Sequence, residues 1–217
     1  MMTFPYRLTA PTLASVLALS LGLAACVPPP QPTADLPQSE FWDRLSALCG
    51  QAFRGTVVST DSQDEDWRAA GVLMHVATCD SEEIRIPLKV GDDTSRTWIL
   101  SRGTGALTLA HQHLHSDGSP DAVSMYGGQA SADGSGSRQN FPADAFSKAL
   151  FEAEGIPASA SNVWSIEIRP DANLFVYELT RPERFFRAEF DLSAPVAPDA
   201  PAQIPPAPSA EDALSEN

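Results

Sequence analysis

The sequence predicts a mainly β fold: an antiparallel barrel or sandwich of about eight or nine strands with an N-terminal helix and one inserted helix. Two observations carry this prediction. Short segments in which apolar and polar residues alternate recur along the chain, which is typical of strands with one buried face. The two helix-like segments do not alternate with these strands, which disfavours a parallel α/β sheet. We therefore expect antiparallel neighbours joined by turns.

The first predicted element is a helix that can be capped by Ser39 and that ends near Gly50. Strand-like segments follow at residues 55–60, 71–79, 83–90, 97–101, 106–115 and 122–126. Pro87 lies inside one of the most regular of these segments, and it indicates an edge position or a bulge because proline cannot donate to the ladder.

The second half of the domain begins with a glycine- and serine-rich segment, residues 127–140. Its glycines match neither a phosphate-binding loop nor a nucleophile elbow, so it is predicted to be a flexible loop. A helix is expected from Pro142 to about Glu154, with Gly155 as its stop. Three alternating strands then complete the domain, the last ending near Leu192.

Composition divides the chain into four segments. Residues 1–25 carry one base, Arg7, and an apolar stretch too short to span a membrane, and they predict a signal peptide. Residues 26–38 are a proline-rich spacer, and residues 39–192 form a single β-rich domain. Residues 193–217 are rich in proline and alanine and lack bases, which predicts a disordered tail.

The signal segment ends in Leu23-Ala24-Ala25-Cys26, which resembles the lipobox of bacterial lipoproteins. The resemblance implies cleavage before Cys26 and attachment of lipid to its thiol. Two or more acyl chains anchor a protein durably, whereas one does so only marginally. Val27, in place of an aspartate, implies transfer to the outer membrane, with the domain facing the periplasm. The alternative is an ordinary signal peptide that is followed by a cysteine by chance.

The chain is strongly acidic, with a formal net charge of -14. Such a surface repels phosphate backbones and argues against nucleic acid as a partner. It also provides no attraction to anionic lipid, so membrane contact is expected to come from the lipid anchor. The densest acidic cluster, residues 61–66, lacks the spacing of a calcium loop and is interpreted as a solvated loop.

Three cysteines are present. With Cys26 assigned to lipid, Cys49 and Cys79 remain as an even pair, which predicts one disulfide in an exported chain. The alternative is that both are free thiols that do not meet. Their spacing fits no zinc site, because the chain contains no CxxC motif.

The strongest candidate site is the alternating triplet His111, His113 and His115. Residues two apart on a strand share a face, so the three imidazoles are expected to point the same way. Leu107 and Leu109 precede them on that face. The face therefore passes from apolar to imidazole, as in a strand that leaves a core and enters a pocket or barrel mouth.

Two interpretations of this triplet stay open. In the first, the histidines bind a divalent metal such as zinc, with Asp117, Asp121 or His75 as a further ligand. In the second, they are a solvated strand end beside a turn, or a bulge turns them outward.

Three large aromatic residues also have two interpretations. Trp98, Tyr126 and Trp164 fit either the lining of a ligand cavity or plain core.

Short motifs are spread over residues 41–192. They are Phe41-Trp42, Leu48-Cys49-Gly50, Phe53-x-Gly55, Met74-His75-Val76, Cys79, Glu83-Ile84-Arg85-Ile86-Pro87, Val90-Gly91-Asp92-Asp93, Ser95-Arg96-Thr97-Trp98, His111-x-His113-x-His115-x-Asp117-Gly118, Met125-Tyr126-Gly127-Gly128, Phe141-Pro142-Ala143-Asp144 and Asn162-Val163-Trp164. Together they resemble a family of secreted bacterial proteins without an assigned function. The resemblance implies an exported, β-rich single domain and supplies no catalytic residues.

Three functional hypotheses follow. The first is a membrane-anchored envelope lipoprotein whose domain binds a small molecule or an envelope protein partner, which fits the absence of any catalytic motif. The second is a metal-dependent, hydrolytic enzyme that uses the histidine triplet, with Asp117 as base. The third is a structural envelope protein without a small-molecule site.

Overall fold

The computed structural model describes residues 36–103, 105–200 and 202. Within these residues, eleven antiparallel strands form one nearly closed, barrel-like sheet, accompanied by three α-helices. Of the two architectures that the sequence left open, the barrel is the one found. It contains more strands than predicted because several short strands carry too few alternating residues to be recognised from sequence.

The elements have the following bounds. The strands are β1 (Ala52–Val57), β2 (Val72–His75), β3 (Thr78–Cys79), β4 (Glu83–Val90), β5 (Asp93–Ser101), β6 (Thr108–His113), β7 (Tyr126–Gln129), β8 (Arg138–Pro142), β9 (Val163–Arg169), β10 (Leu174–Arg181) and β11 (Arg184–Val196). The helices are α1 (Leu36–Ser46), α2 (Glu65–Ala70) and α3 (Ala145–Ala153). Around the sheet the strand order is β7-β6-β5-β4-β2-β1-β11-β10-β9-β8, with β3 paired to β4.

The seam between β7 and β8 is closed by a few specific bonds. The amide of Asp144 donates to the carbonyl of Gly127 at 3.0 Å, and the amide of Ser131 donates to the carbonyl of Asn140 at 2.8 Å. The hydroxyl of Ser147, in α3, accepts from the Gly127 amide at 2.7 Å and donates to its carbonyl at 2.9 Å. Helix α3 therefore joins the two edge strands that would otherwise stay unpaired.

Glycines are required at this seam. A Cβ on Gly127 would lie 1.8 Å from the carbonyl oxygen of Leu109, and one on Gly128 would lie 1.9 Å from that of Pro142. Strand β7 thus occupies residues 126–129, not the predicted 122–126. The segment that was predicted to be a flexible loop, residues 127–140, contributes to both edge strands, because its glycines permit close backbone approach.

One end of the barrel is closed by α1. Its Phe41, Trp42 and Leu45 are buried in the main core. The side-chain carbonyl of Gln38 accepts from the amide of Leu107 at 2.7 Å. The guanidinium of Arg102 lies 4.7 Å from the centre of the Trp42 ring. This end contains the start of β6 and the residue after β5, so the opposite ends of these strands form the open end of the barrel.

The predicted disulfide between Cys49 and Cys79 is confirmed, with a Cα–Cα distance of 6.2 Å. It joins the turn after α1 to β3. The predicted strand 71–79 is in fact two strands, β2 and β3, and each pairs with a different part of β4. Pro87 lies between those two pairings, where neither strand needs an amide donor, which explains how a proline is accommodated there.

The acidic cluster at residues 61–66 is not the solvated loop that the sequence predicted. It forms a short 3-10 turn followed by α2, and the side chain of Asp64 is buried. Its buried position is possible because Arg184, 120 residues away, neutralises the carboxylate.

The C-terminal residues also differ from the predicted tail where they are described. Residues 193–196 complete β11. Val196, Ala200 and Ala202 then pack on the outer surface formed by Ala52 and Leu73. The predicted signal peptide, Cys26, most of the spacer and the rest of the tail lie outside the described residues. Among those described, no helix is both long and apolar enough to cross a membrane.

Candidate functional site

On the inward face of β4, β5 and β6, paired residues form three rows across the strands. The rows follow one another from the core to the open end. The register aligns Ile84, Leu100 and Leu109 in the first row, Ile86, Trp98 and His111 in the second, and Leu88, Arg96 and His113 in the third. The side chains change from aliphatic, to aromatic and imidazole, to cationic and imidazole. This wall of the barrel thus becomes polar as it approaches the open end.

The facing wall is built by β9, β10 and β11. Its pairing places Trp164, Leu179 and Phe186 in one row and Ile166, Tyr177 and Ala188 in the row below. Tyr177 stacks on Trp98 across the barrel, with ring centres 4.2 Å apart. The two walls therefore meet through aromatic contacts below the open end.

Between the two walls lies a cavity of about 290 Å³. Its aromatic lining comprises Trp67, Trp98, Tyr126, Trp164, Tyr177 and Phe186. Leu88 and Leu179 complete the apolar part, and the charged lining residues are Asp64, Arg96 and Arg184. An apolar pocket with a few convergent polar groups is the usual form of a small-molecule site.

Helix α2 and the turn before it cover part of the cavity mouth. Trp67 of α2 packs edge-on against Phe186, with ring centres 5.4 Å apart. The guanidinium of Arg96 lies 5.2 Å from the centre of the Trp67 ring. Asp64 binds Arg184 through both carboxylate oxygens and accepts a hydrogen bond of 2.5 Å from the hydroxyl of Ser59. A buried ion pair with these additional bonds fixes α2 against β11.

His111 uses both ring nitrogens within the barrel. Its Nδ1 lies 3.1 Å from the carbonyl oxygen of Tyr126, and its Nε2 lies 2.7 Å from the hydroxyl of Tyr177. A carbonyl can only accept, so Nδ1 carries the proton and Nε2 must accept from Tyr177. The network therefore assigns one tautomer of a neutral imidazole.

Burial sets the protonation of this pair. It lowers the pKa of His111 to about 3, against the smaller opposing effect of the bond to the Tyr126 carbonyl. Burial also raises the pKa of Tyr177 well above its usual 10. A general base works best with a pKa near the ambient pH, and these two groups are shifted away from it in opposite directions. Both groups are therefore uncharged at neutral pH.

His113 and Tyr126 form a second pair nearer to the mouth. The Tyr126 hydroxyl lies 3.2 Å from Nε2 of His113. Burial, followed by the positive charge of Arg96, lowers the pKa of His113. Burial raises the pKa of Tyr126 to about 12, while Arg96 acts in the opposite direction. Both groups are thus uncharged at neutral pH.

The structure separates the residues that the sequence grouped as metal ligands. His111 and His113 line the cavity, whereas His115 and Asp117 are exposed beyond the end of β6. Hydrogen bonds from Ser119 lower the pKa of the Asp117 carboxyl and tie it to its own turn. In the described part of the chain, no group of three or more His, Cys, Asp and Glu side chains is arranged to hold a metal ion. Metal binding by this triplet stays a prediction, and it would require His111 to give up one of its two hydrogen bonds.

For Trp98, Tyr126 and Trp164, the sequence allowed either a core position or a position in the lining of a cavity. All three line the cavity. The sequence did not identify Asp64, Arg96, Trp67, Tyr177 or Arg184 as part of a site. A signal existed for Arg96, because Leu100, Trp98 and Arg96 share one strand face in the same way as Leu109, His111 and His113. None existed for Asp64 and Arg184, which meet only through the sheet topology.

The chain matches no protein-family model, no curated protein and no solved structure. The resemblance to secreted bacterial proteins therefore stays a hypothesis.

Proposed function

We propose that this chain is a lipid-anchored envelope protein whose barrel-like domain binds a small molecule at its open end. The cavity of about 290 Å³, lined by six aromatic side chains, is the observation that carries the binding function. An apolar cavity of about 150 Å³ is large enough for benzene, so this one suits a ligand of one or two rings.

The polar groups inside the cavity support binding over catalysis. His111 and Tyr177 hold each other in place, and neither has a pKa suited to acid–base chemistry near neutral pH. The metal-dependent enzyme has less support, since the four predicted ligands do not share one location.

The anchoring part of the proposal is supported by the sequence Leu23-Ala24-Ala25-Cys26. Expression of the full chain in a Gram-negative bacterium with a radioactive or alkyne-labelled fatty acid should label the protein and direct it to the outer-membrane fraction. A Cys26→Ser variant should be unlabelled. Equal labelling of the two chains would contradict lipid attachment at this cysteine.

Ligand binding can be tested by calorimetry on the full chain with a panel of neutral and charged one- and two-ring compounds. We expect at least one compound to bind with 1:1 stoichiometry. A Leu88→Trp/Leu179→Trp variant fills the cavity from two walls and should abolish that binding.

The matched control is Leu192→Trp, which adds the same indole at a half-buried core position that does not line the cavity. If no compound binds, or if the filled variant binds as well as the natural sequence, the proposed function is wrong.

A further inference from the structure

Two arginines line the cavity, and their hydrogen bonding differs. Arg184 is held through both terminal nitrogens: Nη1 donates to Asp64 and to the carbonyl of Phe185 and contacts Asp61 at 3.4 Å, and Nη2 donates to Asp64. Its charge is thus neutralised by two carboxylates. Arg184 therefore has a structural role at the mouth.

Arg96 leaves one edge of its guanidinium open. Its Nη1 donates to the carboxylate of Asp93 and to the hydroxyl of Ser95. In the described part of the chain, no hydrogen bond joins its Nε or Nη2 to a protein atom. These two groups present parallel N–H donors, the arrangement that binds a carboxylate in a bidentate manner.

The position of Arg96 is fixed by its surroundings. Its side chain stacks over Trp67, and it lies opposite His113 in the β5–β6 pairing. The stacked ring limits rotation of the guanidinium, so little conformational entropy is lost when a ligand binds. The uncharged His113 and Tyr126 beside it do not compete for a negative charge.

The positive field of Arg96 reaches the interior of the cavity mouth. It lowers the pKa of both His113 and Tyr126, and on each group it acts more strongly than Asp121, which raises both pKa values. Asp93, the ion-pair partner of Arg96, also raises the pKa of His113, with a smaller effect than that of Arg96. The acidic surface of the whole chain acts over longer distances, where salt screens it within about 8 Å. At His113 and Tyr126, the positive charge of Arg96 therefore outweighs each of these carboxylates.

We propose, building on the small-molecule binding proposed above, that the ligand is an aromatic carboxylate of one or two rings. Its ring occupies the aromatic cavity, and its carboxylate accepts two hydrogen bonds from Nε and Nη2 of Arg96. Trp67 supports the guanidinium from below, and α2 limits the length of any substituent at the mouth.

The test compares two probes of nearly equal size, 2-naphthoate and 2-naphthamide, which differ in charge. The affinity of each probe is measured by calorimetry. We expect 2-naphthoate to bind about 10- to 100-fold more tightly than 2-naphthamide, the ratio typical of a charge-assisted hydrogen-bonded pair. Arg96→Gln should remove this preference by lowering the affinity for 2-naphthoate to about that for 2-naphthamide.

Two further variants sharpen the test. Arg96→Lys keeps the charge without the fork and should retain only part of the preference. Arg102→Gln removes an arginine that also stacks over a tryptophan, Trp42, at the closed end of the barrel, and it should bind both probes normally. Naphthamide binding also verifies that each variant is folded.

The outcomes separate the two proposals. Equal affinity for both probes, or an unchanged preference in Arg96→Gln, would overturn the aromatic carboxylate while leaving small-molecule binding in place. If neither probe binds and no compound of the calorimetric panel binds, both the aromatic carboxylate and small-molecule binding are overturned.

Discussion

His111 and Tyr177 are joined by a hydrogen bond of 2.7 Å between strands β6 and β10, which are not neighbours in the sheet. The bond crosses the interior of the barrel and connects its two walls within the lining of the cavity. Because Nδ1 of His111 is bound to a backbone carbonyl, Nδ1 must be the donor in that bond. Nε2 then accepts from the Tyr177 hydroxyl. This pair thus links the stability of the barrel to the shape of its cavity.

Tyr177→Phe should destabilise the protein by about 1–3 kcal/mol, because it leaves the buried Nε2 of His111 without a donor. The measurement is the free energy of unfolding in urea. Tyr126→Phe is the matched control: its hydroxyl meets His113, which is only half-buried, so water can replace the lost bond and the cost should be smaller. Equal costs for the two variants would show that the His111 bond has no special importance.

The stability of the protein should decrease as the pH falls below about 6.5. The pKa of His111 is about 3 in the folded state and 6.5 in the absence of burial, so between these values the unfolded chain binds more protons than the folded one. The free energy of unfolding should therefore fall by about 1.4 kcal/mol per pH unit for this residue. His113 acts in the same direction, since its pKa is also lowered.

Urea unfolding between pH 5 and 7 (the range above the usual pKa values of Asp and Glu, about 4) isolates the histidines. His111→Gln should make the decrease in the free energy of unfolding with falling pH less steep, by the contribution of His111. Identical slopes for the natural sequence and His111→Gln would contradict the lowered pKa.

Asp64→Asn should destabilise the protein by about 3–5 kcal/mol, because it leaves the charge of Arg184 without its buried partner. Replacement of both residues, in Asp64→Leu/Arg184→Leu, should restore much of this loss, since the two charges are removed together. Thermal or urea unfolding measures both effects. The half-exposed pair of Glu83 and Arg85 provides the control, and Glu83→Gln there should cost less than about 1 kcal/mol.

A large loss in Asp64→Asn that the double variant does not recover would contradict this interpretation. It would indicate that α2 depends on other contacts of Asp64, such as the bond from Ser59.

Several features of the fold could be predicted from local patterns. Strand β4 was predicted with its observed bounds, because its alternation is regular and both flanks are polar. The histidine strand was expected to run from core to pocket, since Leu107 and Leu109 precede the imidazoles on the same face. The disulfide could be predicted because an even pair of cysteines remains once Cys26 is assigned to lipid by hypothesis, and the pair is found joined.

Other features depend on contacts between distant segments, which no local pattern contains. Asp64 looks like part of a solvated acidic run until β11 brings Arg184 beside it. Tyr177 looks like an ordinary core residue until the curvature of the sheet places it across from His111. Gly127 and Gly128 predict flexibility by composition, but the barrel uses them where two backbones approach closely.

Gly127→Ala should destabilise the barrel by at least about 2 kcal/mol, because the added Cβ would overlap backbone atoms that cannot move without opening the sheet. Its Cβ would lie 1.8 Å from the Leu109 carbonyl oxygen, and the strand would have to move away from both β6 and the Ser147 hydroxyl. Hydrogen exchange should therefore accelerate at the backbone amides of residue 127 and Asp144, which close the seam. Gly103→Ala, where a Cβ meets nothing within 4 Å, should leave stability and exchange unchanged. If Gly127→Ala behaved like Gly103→Ala, the seam between β7 and β8 would be looser than its hydrogen bonds indicate, and α3 would not be needed to close the barrel.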